Sequence, residues 1–305
     1  MTLKDISPYL FEFSCNTIVG KRNKPFINVA TMDYGSKATD GGYLILDTFE
    51  KNALLETYSE AERFIKRYVG SDDFINADER YCIWIEDHEK EEAYAIPEIK
   101  RRIDAVKVMR LSSKKAATRK DAERTYQLAE RRYNDSACIL VPRVSSENRE
   151  YIPMGYLPKG TVVADSAFAI YNAPEWLFGI LTSAMHMAWV RAIGGRLKTD
   201  YRYSAGLCYN SAGLCYNPFP FPKLTEAKKH EIEDAAWEVL AARERSLGKT
   251  LAYMYDPQTM PRELREAHHQ LDLVVDSCYR DRPFADENER LEWLLKLYDK
   301  MNSHN

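Results

Sequence analysis

The stretch "PEWLFGILTSAMHMAWVRAIGGRLKTDYRYS", residues 174–204, decides the fold class. Residues 174–193 are apolar nearly all round, and a helix of that kind is buried within a domain rather than laid on its surface. Pro174 suits its first turn, and Gly194-Gly195 suit its end. His186 stands among Met185, Met187 and Trp189, which predicts a hydrogen-bonded core histidine in preference to a ligand. "GRLKTDYRYS" then reads as a polar strand. A buried helix feeding a polar strand calls for helix and sheet around one core, an α+β arrangement.

The segments on either side agree. "RYCIWIED" (80–87), "ACILVPRVSS" (137–146), "YIPMGYL" (151–157) and "GTVVADSAFAIYN" (160–172) predict strands. Residues 1–47 read as short strands and turns: "TIVGKRNKPFINV" is a strand, a polar turn and a strand, and "TDGGYLIL" is a glycine turn running into another. Residues 49–69 have helical spacing, with Leu54, Leu55, Phe64, Ile65 and Tyr68 inward. Ile99, Ile103, Val106 and Met109 recur every three or four residues. They predict an amphipathic helix whose basic outer face carries Lys100, Arg101, Arg102, Lys107 and Arg110. "LSSKKAATRK" behind it has the composition of a mobile, phosphate-seeking loop.

Past Pro222 only helices are expected. Thr225 caps "EAKKHEIEDAAWEVLAARERS", Thr259 caps the next, and Leu291, Leu294, Leu295 and Tyr298 form one stripe of the last. The expectation is a mixed strand–helix body over residues 1–222. A rigid aromatic linker, "NPFPFP" (217–222), joins it to an all-helical tail over 223–305.

Composition narrows the function classes without choosing one. The 305 residues are 45% hydrophobic and 29% charged, far from disorder. A net charge of -3 neither requires nor excludes a nucleic-acid face, because a local basic surface coexists with an acidic remainder. The 6 cysteines form no CxxC pair and no zinc-spaced cluster, which points to reduced thiols. "MTLKDISPYLFEF" carries charges where a signal peptide is apolar, and no apolar run reaches membrane-spanning length. A soluble, cytoplasmic protein with no membrane partner is expected.

Catalytic signatures are missing. No P-loop, GxSxG elbow, HExxH or Rossmann fingerprint occurs. His268 and His269 are adjacent on a helix and point to different faces, so they do not make a metal pair. Glu147 and Glu150 read as surface carboxylates. "NPFPFP" imitates the Asn-Pro-Pro-Tyr motif of DNA amino-methyltransferases, but Phe219 separates its prolines and no glycine-rich S-adenosylmethionine loop precedes it. No catalytic residue, no metal site and no activity of this chain alone are expected.

Several blocks together carry a resemblance. "DGGYLIL", "FIKRYVGSDDFIN", "RYCIWIED", "PRVSSENREYIPMGYL", "LFGILTSAMHMAWVRAIGGRLKTDYRYS", "NPFPFP", "LAYMYDPQTMPRELREAHHQLD" and "VVDSCY" resemble the C-terminal part of the MmeI-like DNA adenine methyltransferases and restriction-modification enzymes. In that family one polypeptide carries nuclease, helical spacer, methyltransferase, target-recognition domain and C-terminal helical domain. This sequence resembles the last two, over 1–222 and 223–305. The resemblance implies double-stranded DNA as a partner, together with a methyltransferase domain in cis or in trans. It places S-adenosylmethionine in that domain and no cofactor in this chain. The alternative is a protein-interaction module that docks on a separate methyltransferase and binds DNA poorly alone. Only the first reading expects salt-dependent, sequence-biased binding by the purified chain.

Base reading needs donors for guanine and acceptors for cytosine. Among the segments that resemble the family's base-reading positions, Lys198 and Asp200 are spaced to share one strand face, Lys198 for a guanine and Asp200 for its cytosine. Arg202 continues that face. Arg143 and Asp165 form a second such couple, with Ser166 beside it. Without the resemblance, Lys198 and Asp200 read as a surface salt bridge. Lys114, Lys115, Arg119 and Lys120 are the candidate phosphate contacts.

One oddity remains in the same region. "SAGLCYN" is written twice, at 204–210 and 211–217. Seven residues are too few for a solenoid unit, and an odd insertion inside a strand would turn every later side chain to the other face. One copy is therefore expected to leave the sheet as a loop, and the family pattern has room for one copy only.

Overall fold

The computed structural model describes residues 9, 17–203 and 215–303. The chain divides into two compact units. The first comprises Met1–Asp33, Val141–Tyr156 and Ile170–Asn305, and the second Tyr34–Leu140 and Leu157–Ala169. The helical tail thus shares a unit with parts of the mixed body, a division that runs along other lines than the sequential one at residue 222.

The second unit opens after β1 (Asp33–Tyr34) with the glycine turn and β2 (Ile45–Asp47). Asp47 then caps α1 (Thr48–Thr57): its carboxylate accepts from the Glu50 amide at 2.7 Å, while Glu50 accepts from the Asp47 amide at 3.2 Å. The helix stops at Tyr58, so helical spacing describes only the first half of residues 49–69. A 3₁₀ turn (Ser59–Phe64) leads into β3 (Ile65–Val69). There, pairing with a neighbouring strand outweighs the spacing of the apolar residues.

Next come α2 (Ser71–Asn76), β4 (Arg80–Ile83), α3 (Lys90–Ala95), α4 (Pro97–Leu111) and α5 (Ala116–Lys120). Leu44, Leu46, Ile83, Ile85, Ile99, Ile103 and Val106 make a core sealed from solvent.

The basic helix α4 is less solvated than its composition suggests. Arg102 is buried against Glu98 (2.9 Å) and Glu50 (3.0 Å). Arg110 is 0% exposed. Its Nε donates to Thr39 O at 3.0 Å, its Nη1 to Asp121 O (2.9 Å) and Arg124 O (3.0 Å), and its Nη2 to Ala38 O (3.2 Å) and Gln127 O (2.8 Å). All five guanidinium donors are satisfied by carbonyls.

The chain continues through β5 (Cys138–Pro142), β6 (Val144–Ser145), β7 (Gly155–Leu157), β8 (Thr161–Val163) and β9 (Ala167–Tyr171). Strands β2-β4-β3-β8 form one sheet in that order, with β8 parallel to β3 and the other pairs antiparallel. Strands β1-β9-β5-β7 form another.

The apolar run 174–193 folds as two helices, α6 (Glu175–Leu181) and α7 (Ala184–Ile193). Thr182 Oγ1 donates to Phe178 O at 2.9 Å, and Ser183 Oγ accepts from the His186 amide at 3.4 Å. Two hydroxyls thus end one helix and cap the next inside a continuous hydrophobic stretch. His186 is a core residue: fully buried, its Nε2 lies 2.9 Å from the Tyr203 hydroxyl, and burial lowers it to about 3. After the β10 (Gly195–Leu197) and β11 (Asp200–Arg202) hairpin, residues 204–214, which hold the first repeat copy and most of the second, lie outside the described residues.

The end of the second copy is core: Cys215 and Tyr216 are buried, and the Tyr216 hydroxyl donates to Ala30 O at 2.5 Å. "NPFPFP" is core as well, not a linker. Phe219 and Phe221 are sealed, with the Phe219 ring edge-on to His186 at 4.7 Å and to Phe221 at 4.9 Å. Residues 17–29 form no strand; side chains serve their backbone instead. Tyr298 Oη accepts from the Gly20 amide at 3.0 Å, and Asn217 Nδ2 donates to Arg22 O at 2.9 Å.

The tail holds α8 (Glu226–Arg245), α9 (Leu251–Met254), α10 (Arg262–Ser277) and α11 (Glu287–Asn302). Thr225 caps α8, whereas the N-cap position of α10 is Pro261 and not Thr259. A Cβ on Gly179 would lie 2.4 Å from Ile232 Cγ2, so the missing side chain is what lets α6 approach α8. Leu291, Leu294, Leu295 and Tyr298 are the buried stripe of α11.

A polar chain crosses this unit: Tyr151 stacks on His268 at 4.0 Å and donates to Asp272 Oδ2 at 2.7 Å, while Asp272 Oδ1 accepts from the Ala184 amide at 2.6 Å. Burial raises Asp272 to about 7, against the lowering by those two donors.

Two outcomes follow. Arg110→Met strands buried carbonyls and lowers unfolding stability by about 3 kcal/mol or more, measured by denaturant titration. Because the folded Asp272 holds its proton up to about pH 7 and the unfolded one only to about 3.8, its contribution is present below the lower value and lost as pH rises through the higher. Asp272→Asn removes that part of the pH–stability profile; a variant profile parallel to the parent's contradicts the assignment.

Candidate nucleic-acid interface

The hairpin register pairs Gly195 with Arg202, Arg196 with Tyr201 and Leu197 with Asp200, leaving Lys198-Thr199 as a two-residue turn. Lys198 has φ 57, in the left-handed region. It therefore does not share a strand face with Asp200, as its spacing suggested; it stands at the turn beside it. Hairpins this tight need positive φ, usually marked by Asn-Gly or Gly, and Lys-Thr carries no such mark.

Asp200 and Arg202 do share a face. Strand β11 also pairs with β6, Tyr201 opposite Ser145 and Arg202 opposite Val144. Cross-strand partners point to one side, so Tyr201 and Ser145, both buried, define the inner face. Asp200, Arg202 and Leu197 (49% exposed) define the outer one. Lys198 is exposed, and Asp200 and Arg202 are half-buried. Among the described residues none of their charged groups has an ion-pair partner within 4.0 Å, so the surface salt bridge is not formed.

Arg143 lies at the bend between β5 and β6, half-buried, and its carbonyl accepts from the Tyr203 amide at 2.9 Å. It belongs to the first unit; Asp165 and Ser166 belong to the second. These two form the tight turn between β8 and β9, closed by the Ala167 amide on Ala164 O at 3.0 Å. Ser166 Oγ accepts from the Ser71 amide at 3.1 Å, and the Ser71 hydroxyl donates to Ser166 O at 2.5 Å. A Cβ on Gly70 would sit 2.3 Å from Ser166 Oγ, so glycine makes room for this contact.

The basic segment is partly structured. Arg119, on α5, donates from Nη1 to Ser113 O (2.8 Å) and Lys114 O (2.9 Å), closing the segment on itself. Lys114, Lys115 and Lys120 are exposed, with no ion pair among the described residues. Arg149, which no sequence motif marks, lies beside the inner face of the hairpin sheet, Nη1 3.4 Å from Ser145 Oγ. Among the described residues no His/Cys/Asp/Glu group is placed to hold a metal, and no helix is long and apolar enough to cross a membrane.

The turn geometry separates fold from recognition at Lys198. Lys198→Gly relieves the left-handed strain and changes stability by less than about 1 kcal/mol, whereas Lys198→Val costs about 1–3 kcal/mol in thermal unfolding. Equal stability of the two variants would contradict the turn.

The sequence matches the family described as "MmeI, target recognition domain" over residues 14–223 and "MmeI, C-terminal domain" over residues 224–304. It is 42% identical over 299 residues to "DNA methyltransferase A" of Bacillus subtilis (strain 168), covering 98% of this chain and 33% of that protein. The fold is similar to that of the Type IIL restriction-modification enzyme MmeI solved in complex with DNA, at a TM-score of 0.91 and 37% identity, covering 98% of this chain and 39% of that one. The chain thus spans about a third of the length of these relatives. Matched along almost its whole length, this chain belongs to the MmeI family, of which it comprises the target recognition and C-terminal domains.

Proposed function

We propose that this chain is the DNA sequence-reading module of an adenine-N6 methyltransferase of a restriction-modification system, acting on double-stranded DNA in the cytoplasm. The observation that carries this reading is the β10–β11 hairpin. It presents one exposed lysine, one carboxylate and one arginine at adjacent positions, with none neutralised by another. Charged groups that do not pair with one another stay available to a partner, and the acceptor and donor edges of a G·C pair complement them. The relative solved with DNA, similar over 98% of this chain, supports the same reading.

Lys198 donates to a guanine, Asp200 accepts from its cytosine, and Arg202 reaches the adjacent pair. Arg143 in the first unit, and Asp165 with Ser166 in the second, are further base contacts. The base contacts specify, while Lys114, Lys115, Lys120 and the free edge of Arg119 contact phosphates and fix the register. Methyl transfer belongs to a methyltransferase domain, in cis or in trans, which holds S-adenosylmethionine. This chain supplies the address.

Exchanging the hairpin charges tests the reading. Lys198→Glu with Asp200→Arg shifts the preferred base at one position of the site. The discrimination at that position is about 1–3 kcal/mol, read by competition between duplexes differing in that pair. An unmoved preference in a folded double variant overturns the assignment.

A further inference from the structure

Most arginines taken out of water elsewhere in this protein meet strong acceptors, although Nη2 of the buried Arg243 has no partner among the described residues. Arg102 meets Glu98 and Glu50, Arg191 meets Glu287 at 2.5 Å, Arg290 meets Asp276 at 2.7 Å, and Arg110 meets carbonyls alone. Arg149 is half-buried too, and burial lowers its pKa against the fields of Asp200 and Asp256. Yet its guanidinium makes a single contact among the described residues, Nη1 to Ser145 Oγ at 3.4 Å, too long to be strong. Its other nitrogens are not among the buried polar atoms that lack a partner, so they remain reachable from solvent.

The backbone beneath this side chain is held firmly. The Arg149 amide donates to Ser146 O at 3.2 Å, and Arg191 Nη2 donates to Glu150 O at 2.8 Å and to Arg149 O at 3.5 Å. Arg149 is therefore a cation fixed on a rigid turn with most of its donors open. Its anchor, Ser145, is the cross-strand partner of Tyr201, which stands between Asp200 and Arg202 on the opposite face of the strand. A two-stranded ribbon fits the major groove, about 12 Å wide, whose walls are phosphates. With Asp200 and Arg202 turned to the base edges, the edges of the sheet face the walls, and Arg149 follows β6, the edge strand of β10-β11-β6.

We propose that Arg149 is a phosphate contact that fixes the hairpin's position on DNA without reading sequence. The inference rests on the DNA-reading function proposed above. It is tested with the full chain on two duplexes, one carrying its preferred site and one unrelated, each titrated over a range of salt. Arg149→Gln weakens binding to both duplexes by the same factor and keeps the sequence preference. It also reduces the slope of log affinity against log salt by about 0.9, the value of one phosphate contact. Arg149→Lys, which keeps the charge, keeps the slope. Three results overturn the proposal: an unchanged slope for Arg149→Gln, a loss confined to the preferred duplex, or a Lys variant whose slope falls as far as that of Gln. A parent chain that binds neither duplex instead removes the DNA-reading function itself, and this inference with it.

Discussion

The guanidinium of Arg110 is the constraint on which the second unit depends. A full charge stands at 0% exposure with no carboxylate touching it, held by carbonyl dipoles of residues 38, 39, 121, 124 and 127. Removing a charge from water is costly unless every donor is satisfied, and here each of the five finds an oxygen. The same contacts tie the end of α4 to the strand-connecting residues before Gly41 and to the chain beyond α5. The basic segment 113–120 is therefore closed at its base by Arg110 and across its own turn by Arg119. Its lysines project from a fixed frame, which would reduce the ordering cost of the phosphate contacts proposed for them.

The first unit is organised by aromatic packing and a few buried polar ties. Phe219, Phe221, Trp189 and Tyr216 are fully buried, and His186 among them is neutral at physiological pH. Asp272 joins α10 to the start of α7 and to Tyr151, so the tail is wired into the body and is not an appendage of it. On this base the hairpin sheet β10-β11-β6 has one face sealed by Tyr201 and Ser145. Strand alternation then sends Asp200 and Arg202 outward without any special sequence.

Much of this was legible in the sequence because it follows from periodicity. The stripe of α11, the inward residues of α4, the cap at Thr225 and the core position of His186 are all local patterns. What periodicity missed was decided by pairing or by single polar groups. Ile65–Val69 pairs as a strand although its apolar spacing reads as helix. Thr182 and Ser183 divide an apolar run because their hydroxyls serve backbone groups, which hydropathy does not register. Arg102 and Arg110 look like a solvated basic face until tertiary carbonyls and carboxylates enclose them. "NPFPFP" looked like a linker because prolines interrupt regular structure, yet its aromatic rings are core. At the candidate site the residue types were legible but the turn at Lys198 was not, and Arg149 carried no signal beyond its charge.

In the proposed reading, affinity and specificity come from different groups: lysines and Arg149 toward phosphates, and the hairpin's outer face toward base edges. The most direct measurement is a binding selection with the purified chain against random duplex DNA at two salt concentrations. The account predicts an enriched motif containing G·C pairs, with overall affinity falling steeply at the higher salt while the motif persists. A folded chain that enriches no motif at either salt would contradict it.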